Sequence, residues 1–151
     1  MNKNVMISVT GNQMYDHQGA SRLEFITEGK YYKKGNSYYV SYKESEVTGM
    51  EGTTTTLKIS GDVVTLMRFG SVNSQLIFQK GHKHLSYYDT AYGAFTIGVF
   101  ANNVDVRVDD NGGEISIGYQ LDMDNGRFGE NDFHMYIREI GQSCNQSENG
   151  G

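Results

Sequence analysis

Apolar and polar residues alternate with a period of two along most of the chain, and no long window carries a helical period. From Asn4 to Met14, the residues Val5, Ile7 and Val9 fall on one side and Met6, Ser8 and Thr10 on the other, as in a half-buried strand. Arg22–Lys33 repeats the pattern, with Leu23, Phe25 and Thr27 against Arg22, Glu24, Ile26 and Glu28. Lys34-Gly35-Asn36 predicts a hairpin turn. Ser37–Lys43 then places Tyr38, Val40 and Tyr42 on one face, and Tyr39 opposite them among serines. Thr53–Ser60 is strongly β-favouring, because β-branched side chains fit a pleated surface. The centre, Gly61–Gly81, predicts two strands, Asp62–Phe69 and Val72–Lys80, joined at Gly70-Ser71. His82–Asp89 predicts the next. Ala91–Ala101 is a nearly continuous apolar run whose Gly93 and Gly98 predict a bulge or bend. Asn102-Asn103 is expected to break that strand before Val104–Val108 resumes it. Asp110-Asn111-Gly112-Gly113 is the clearest turn signal. Glu114–Met123 alternates cleanly, with Ile115, Ile117, Tyr119, Leu121 and Met123 inward, and Asp132–Ile140 alternates again after a turn at Asp124-Asn125-Gly126.

Short strands at regular spacing, separated by turn signals, predict an all-β sandwich or barrel. Most connections are too short for Greek-key crossovers, which favours a single antiparallel up-and-down barrel of about eight to ten strands. Closure also removes exposed sheet edges. The polar connectors are Tyr15–Ser21 and Glu44–Glu51. Residues 1–141 are expected to form the barrel domain, and 142–151, polar and low in hydrophobicity, a flexible tail.

Several segments carry a resemblance: Tyr31-Tyr32 through Tyr38-Tyr39-Val40-Ser41-Tyr42, Leu57 to Val64, Met67-Arg68-Phe69-Gly70, and Gly113 to Leu121. Together they resemble the YwiB-like family of uncharacterised bacterial proteins with a lipocalin-like (calycin) β-barrel. The likeness runs roughly from Val5 to Ile140, and the Met-Arg-x-Gly piece is its most specific part. It implies the barrel fold and no established reaction.

Composition changes the picture in three places. A chain of 151 residues suits one domain with a core that needs no staples. A net charge of −5 argues against a partner held through nucleic-acid phosphates and against an anionic membrane surface. Cys144 is the sole cysteine, so no intrachain disulfide forms and a reducing compartment is favoured. With no apolar leader region and no long apolar run, a cytoplasmic location is expected.

Candidate chemistry begins with Arg68, which shares a face with Val64 and Leu66. If that face lines the barrel, the guanidinium either holds an anionic ligand group or pairs with an internal Glu or with strand-end carbonyls and closes the barrel. The alternative face, Val63, Thr65, Met67 and Phe69, is just as apolar, so the pattern leaves the orientation open. Tyrosines spread over five strands, with Tyr38, Tyr42, Tyr88 and Tyr119 the candidates to join Arg68, offer apolar rings and hydroxyls suited to a small amphipathic ligand. His82 and His84 share a strand face, but an isolated H-x-H pair is a weak metal signal, and no metal or cofactor is expected. No G-x-S-x-G, Cys-His pair, P-loop or dinucleotide fingerprint is present. The expectation is a non-enzymatic barrel that binds a small apolar or amphipathic ligand in its interior, with a structural or protein-interaction barrel that has a packed core and no ligand, such as a homodimer, as the alternative.

Overall fold

The structure, a computed structural model, describes residues 2–15, 19–90, 93–123 and 126–140. Ten strands follow one another: β1 (Asn2–Tyr15), β2 (Gly19–Lys34), β3 (Ser37–Lys43), β4 (Thr53–Ser60), β5 (Val63–Gly70), β6 (Asn73–Phe78), β7 (Lys83–Thr90), β8 (Gly93–Asp109), β9 (Gly112–Met123) and β10 (Gly126–Glu139). Each pairs antiparallel with its sequence neighbour, and β1 pairs with β10, which closes an up-and-down barrel. The predicted architecture is the observed one.

The period-two pattern becomes an inside and an outside. Val5 and Ile7 of β1, Leu57 and Ile59 of β4, Val64 of β5, Val99 of β8, Ile115 and Ile117 of β9, and Met135 and Ile137 of β10 are all buried. They meet in one core that fills the middle of the barrel, so the expected interior is packed by side chains there, and room for a ligand has to be sought at the wall. Each such side chain contributes about 1.5–3 kcal/mol when taken from water.

Two local expectations are corrected. Asn102-Asn103 does not break a strand. β8 runs unbroken, and its register shifts between Ala101↔Tyr119 and Asn103↔Gly118. The extra residue changes parity: the inward side chains are Ile97, Val99 and Ala101 before the bulge, then Val104, Val106 and Val108 after it. The disturbed alternation was therefore real, but the ladder absorbs it. The second correction concerns β6, which ends at Phe78 rather than Lys80. Beyond it the chain leaves the β6–β7 ladder and bridges to β8 at Lys80↔Ala101, with the Gly81 amide donating to the Ala101 carbonyl at 2.8 Å and the His82 amide to the Gln79 carbonyl at 3.0 Å.

That departure opens the wall. β6 and β7 pair only at Asn73↔Asp89 and Ser74↔Tyr88, so Gln75–Phe78 have no ladder partners on β7. On the other side of the barrel, β8, β9, β10, β1 and β2 are long and paired along most of their length. The β1–β2 ladder reaches Tyr15↔Gly19, which shortens the expected connector to Asp16–Gln18; these residues, and the tail from Gly141, lie outside the described part. Among the described residues no helix is long and apolar enough to cross a membrane.

Candidate functional site

The orientation left open by the sequence is decided by register. Ile59 pairs with Val64, Leu57 with Leu66 and Thr55 with Arg68, and the β4 members of these pairs are all buried. Arg68 therefore faces inward, while Phe69 is 64% exposed. The chain reverses beside it at Gly70, whose φ of 130° is a left-handed conformation. A Cβ there would lie 2.1 Å from the Gly52 carbonyl oxygen, so the close approach of β4 and β5 needs glycine.

Across from Arg68 sits Glu44, which continues the inward series Tyr38, Val40, Tyr42 one step past the end of β3. Its side chain is 1% exposed, and Oε2 lies 3.8 Å from Arg68 Nε. Other groups hold the carboxylate. Thr48 Oγ1 donates to Oε1 at 2.8 Å, the Thr55 hydroxyl donates to Oε2, and the Glu44 amide donates to the Thr53 carbonyl at 2.8 Å. Tyr42 is buried beside this group. Burial pushes its hydroxyl pKa well up, the Glu44 carboxylate adds to the rise, and the Arg68 guanidinium opposes it. Tyr42 therefore stays neutral and keeps a proton to donate.

Arg68 is paired in charge but not in hydrogen bonding, because 3.8 Å is beyond hydrogen-bond range. Among the described residues, two buried polar side-chain atoms lack a hydrogen-bond partner: Arg68 Nε and Ser74 Oγ. These two residues are cross-strand partners on β5 and β6. A buried polar group left unsatisfied costs about 1–3 kcal/mol. Finding both at one ladder position, the last β6–β7 rung before the wall opens, marks the site.

A cavity of about 470 Å³ lies there, lined by Met67, Phe69, Ile77, Leu85 and Tyr87, together with Arg68, Asn73, Ser74, Gln75, Ser86 and Asp89. Leu85 and Tyr87 are 72% and 76% exposed, so its rim is apolar and open to solvent. The lining combines both faces of the wall, as a window between β6 and β7 requires.

Arg68 and Tyr42 fall in one cross-strand row, with Thr55 between them, but only Arg68 lines the cavity. Tyr38 lies four residues back along β3, toward the other end. There its ring stacks on that of Tyr31 at 5.4 Å and its hydroxyl donates to Asp110 Oδ1 at 2.6 Å. Tyr119 packs against Phe78 at 4.8 Å and lines a separate cavity of about 310 Å³ with Val47, Thr48, Asn131 and Phe133. The Tyr88 side chain and Tyr92 lie outside the described residues; the Tyr88 backbone pairs with Ser74. The ring centroids of His82 and His84 are 6.5 Å apart, His84 Nε2 engages Gln79 Oε1 at 3.0 Å, and His134 pairs with Glu114 at 3.1 Å. Among the described residues no cluster of His, Cys, Asp and Glu fits a metal ion. Sequence reasoning offered an internal Glu as one partner for Arg68 without identifying it as Glu44, and it missed Ser74. The available signal was parity, since Glu44 continues the Tyr38–Tyr42 series and Ser74 the Leu76–Phe78 series.

Comparison with known proteins agrees with this fold. The model of a family described as a domain of unknown function, DUF1934, matches residues 7–135. The uncharacterized β-barrel protein YwiB of Bacillus subtilis (strain 168) is 31% identical over 99 residues, 66% of this chain and 68% of that protein. The crystal structure of the ywiB protein from Bacillus subtilis superposes with a TM-score of 0.77 at 22% identity, covering 93% of this chain and 94% of the other.

Proposed function

We propose that this chain, which belongs to the DUF1934 family, is a lipocalin-like binding barrel that takes a small amphipathic ligand through the window between β6 and β7. The observation that carries the reading is the pair of buried, unpartnered donors, Arg68 Nε and Ser74 Oγ, at a cavity with apolar walls. The ligand's apolar body lies between Phe69, Leu85 and Tyr87. Its head offers an acceptor oxygen to Arg68 and Ser74. A hydrogen bond from a charged donor is worth about 1.5–3 kcal/mol, and here it also relieves two desolvated groups. Glu44 already balances the Arg68 charge, so a head with one acceptor group fits better than a multiply charged one. The role is binding, not turnover.

The test uses 8-anilino-1-naphthalenesulfonate, a probe with an aromatic body and one anionic head. Wild type is expected to bind it at one site with a blue-shifted emission. Arg68→Gln and Leu85→Ser should each weaken binding about tenfold while leaving the circular dichroism spectrum unchanged. Wild-type affinity in both variants, or no saturable binding by wild type, overturns the reading. The same apolar rim favours a second reading, a contact surface for another copy of the chain. A dimer in sedimentation that Leu85→Ser dissociates, without any effect of Arg68→Gln, selects it.

A further inference from the structure

The outside of the barrel divides its charge unevenly. On β2, β3 and β4, the outward positions from Lys30 to Ser60 carry Lys30, Lys34, Lys43 and Lys58 and no carboxylate. The adjoining outward positions of β5 are Val63, Thr65, Met67 and Phe69, all uncharged. Acidic groups border the face rather than enter it: Glu28, one outward step before Lys30, Glu46 and Glu51 in the β3–β4 connection, and Asp62 in the β4–β5 turn. Elsewhere several cations are neutralised, Lys3 by Glu139, Arg22 by Glu24, Lys83 by Asp122 and Arg107 by Asp105, while Lys80 and Arg138 stand singly without an ion pair among the described residues. Among the described residues, none of the four lysines on this face forms an ion pair. The net charge of −5 is an average over a molecule with one locally basic sheet face.

In the middle of that face stand two aromatic rings. Tyr32 of β2 and Tyr39 of β3 are ladder partners, stacked at 5.1 Å with planes 4° apart, and both are partly exposed. The same row continues to Lys58 of β4. Along β2 the outward order is Lys30, Tyr32, Lys34, a cation, a ring and a cation spaced about 6.7 Å apart. Hydroxyls fill the remaining positions, with Ser41 accepting from Thr56 at 3.2 Å and Ser37 facing Ser60 at 2.6 Å.

Unneutralised cations interleaved with aromatic rings on a sheet are the chemistry that holds a single nucleic-acid strand, with phosphates on the lysines and bases on the ring faces. We propose that the outer face of β2–β4 binds single-stranded nucleic acid without marked sequence preference. The inference stands apart from the window: none of its residues lines that cavity.

The experiment is fluorescence anisotropy with a fluorescein-labelled fifteen-nucleotide oligo-dT. Binding is expected at 50 mM salt, with log K falling against log salt at a slope of about −2 to −3, the value for three or four phosphate contacts on a single strand. Lys34→Glu/Lys58→Glu should lower affinity at least tenfold and flatten the slope. Tyr32→Ser/Tyr39→Ser should lower affinity about fivefold or more at an unchanged slope. Arg107→Ala, on β8 and outside this face, should bind as wild type. No binding at 50 mM salt overturns the proposal. So does a tyrosine variant that keeps wild-type affinity, because the face would then be only a diffuse counterion surface.

Discussion

Two polar clusters sit four residues apart on the inner face of β3, and they are finished differently. At the Tyr38 end every partner is in place. The buried Tyr31 donates to the Asp109 carbonyl at 2.7 Å, Tyr38 donates to Asp110, and Lys3 Nζ reaches the Asp110 carbonyl at 2.9 Å. Lys33 lies over the Tyr38 ring at 5.4 Å. At the Tyr42 end Glu44 is fully held, yet Arg68 Nε and Ser74 Oγ are buried without a hydrogen bond. Both ends close the same barrel and have the same tyrosine-rich chemistry. The first has the form of a plug, and the second keeps binding capacity unused beside a gap in the wall. Incomplete satisfaction, rather than residue type, separates a candidate site from structural polar packing.

Removing Glu44 should give the largest effect. Glu44→Ala leaves Arg68 without its counter-charge and should cost about 3–5 kcal/mol in urea unfolding. Adding Arg68→Met should recover most of that loss. A single variant within about 1 kcal/mol of wild type would mean that the two ends do not differ as described.

Alkaline unfolding probes what the ends share. Burial raises the hydroxyl pKa of both Tyr31 and Tyr42. A folded-state pKa above the unfolded value of about 10 means the stability is complete below pH 10 and is lost as pH rises further. Tyr31→Phe and Tyr42→Phe should each flatten this decline. An unchanged slope in both variants would contradict the assignment.

At neutral pH, Tyr31→Phe should cost about 1 kcal/mol by orphaning the Asp109 carbonyl. Ser74→Ala should have the opposite sign. Deleting an unpartnered buried hydroxyl should leave stability unchanged or raise it by up to about 1 kcal/mol, while weakening probe binding. Thermal melts of the two variants side by side show whether the closed end loses and the open end gains.

The smallest effect is acidic. The Tyr38 hydroxyl is the main cause holding the exposed Asp110 carboxyl below its usual range. That contribution is present above the unfolded value of about 4 and fades as pH falls through the lowered one. Tyr38→Phe should move the Asp110 carboxyl titration, followed by NMR, back toward the ordinary value.

The fold was legible in the sequence because a strand's side-chain period is two and the loops are short. The alternations at Val5–Val9, Tyr38–Tyr42 and Ile115–Leu121 each specify an inner face without knowledge of any partner. The bulge was misplaced: the sequence pointed to Gly93 and Gly98 and read Asn102-Asn103 as a break, whereas the register shifts between Ala101 and Asn103. The sequence also singled out Arg68 and Tyr42, which fall in one cross-strand row with Thr55 between them, although Tyr42 does not line the window. It could not orient β5, because Val64, Leu66 and Arg68 face Val63, Thr65, Met67 and Phe69 with equal apolarity, and only pairing with Leu57 and Ile59 decides between them. It could not separate Tyr38 from Tyr42, which share a face but meet different partners contributed by other strands. Nor could it reveal the window, since a ladder stops where two strands diverge in space, and no local residue pattern records that divergence.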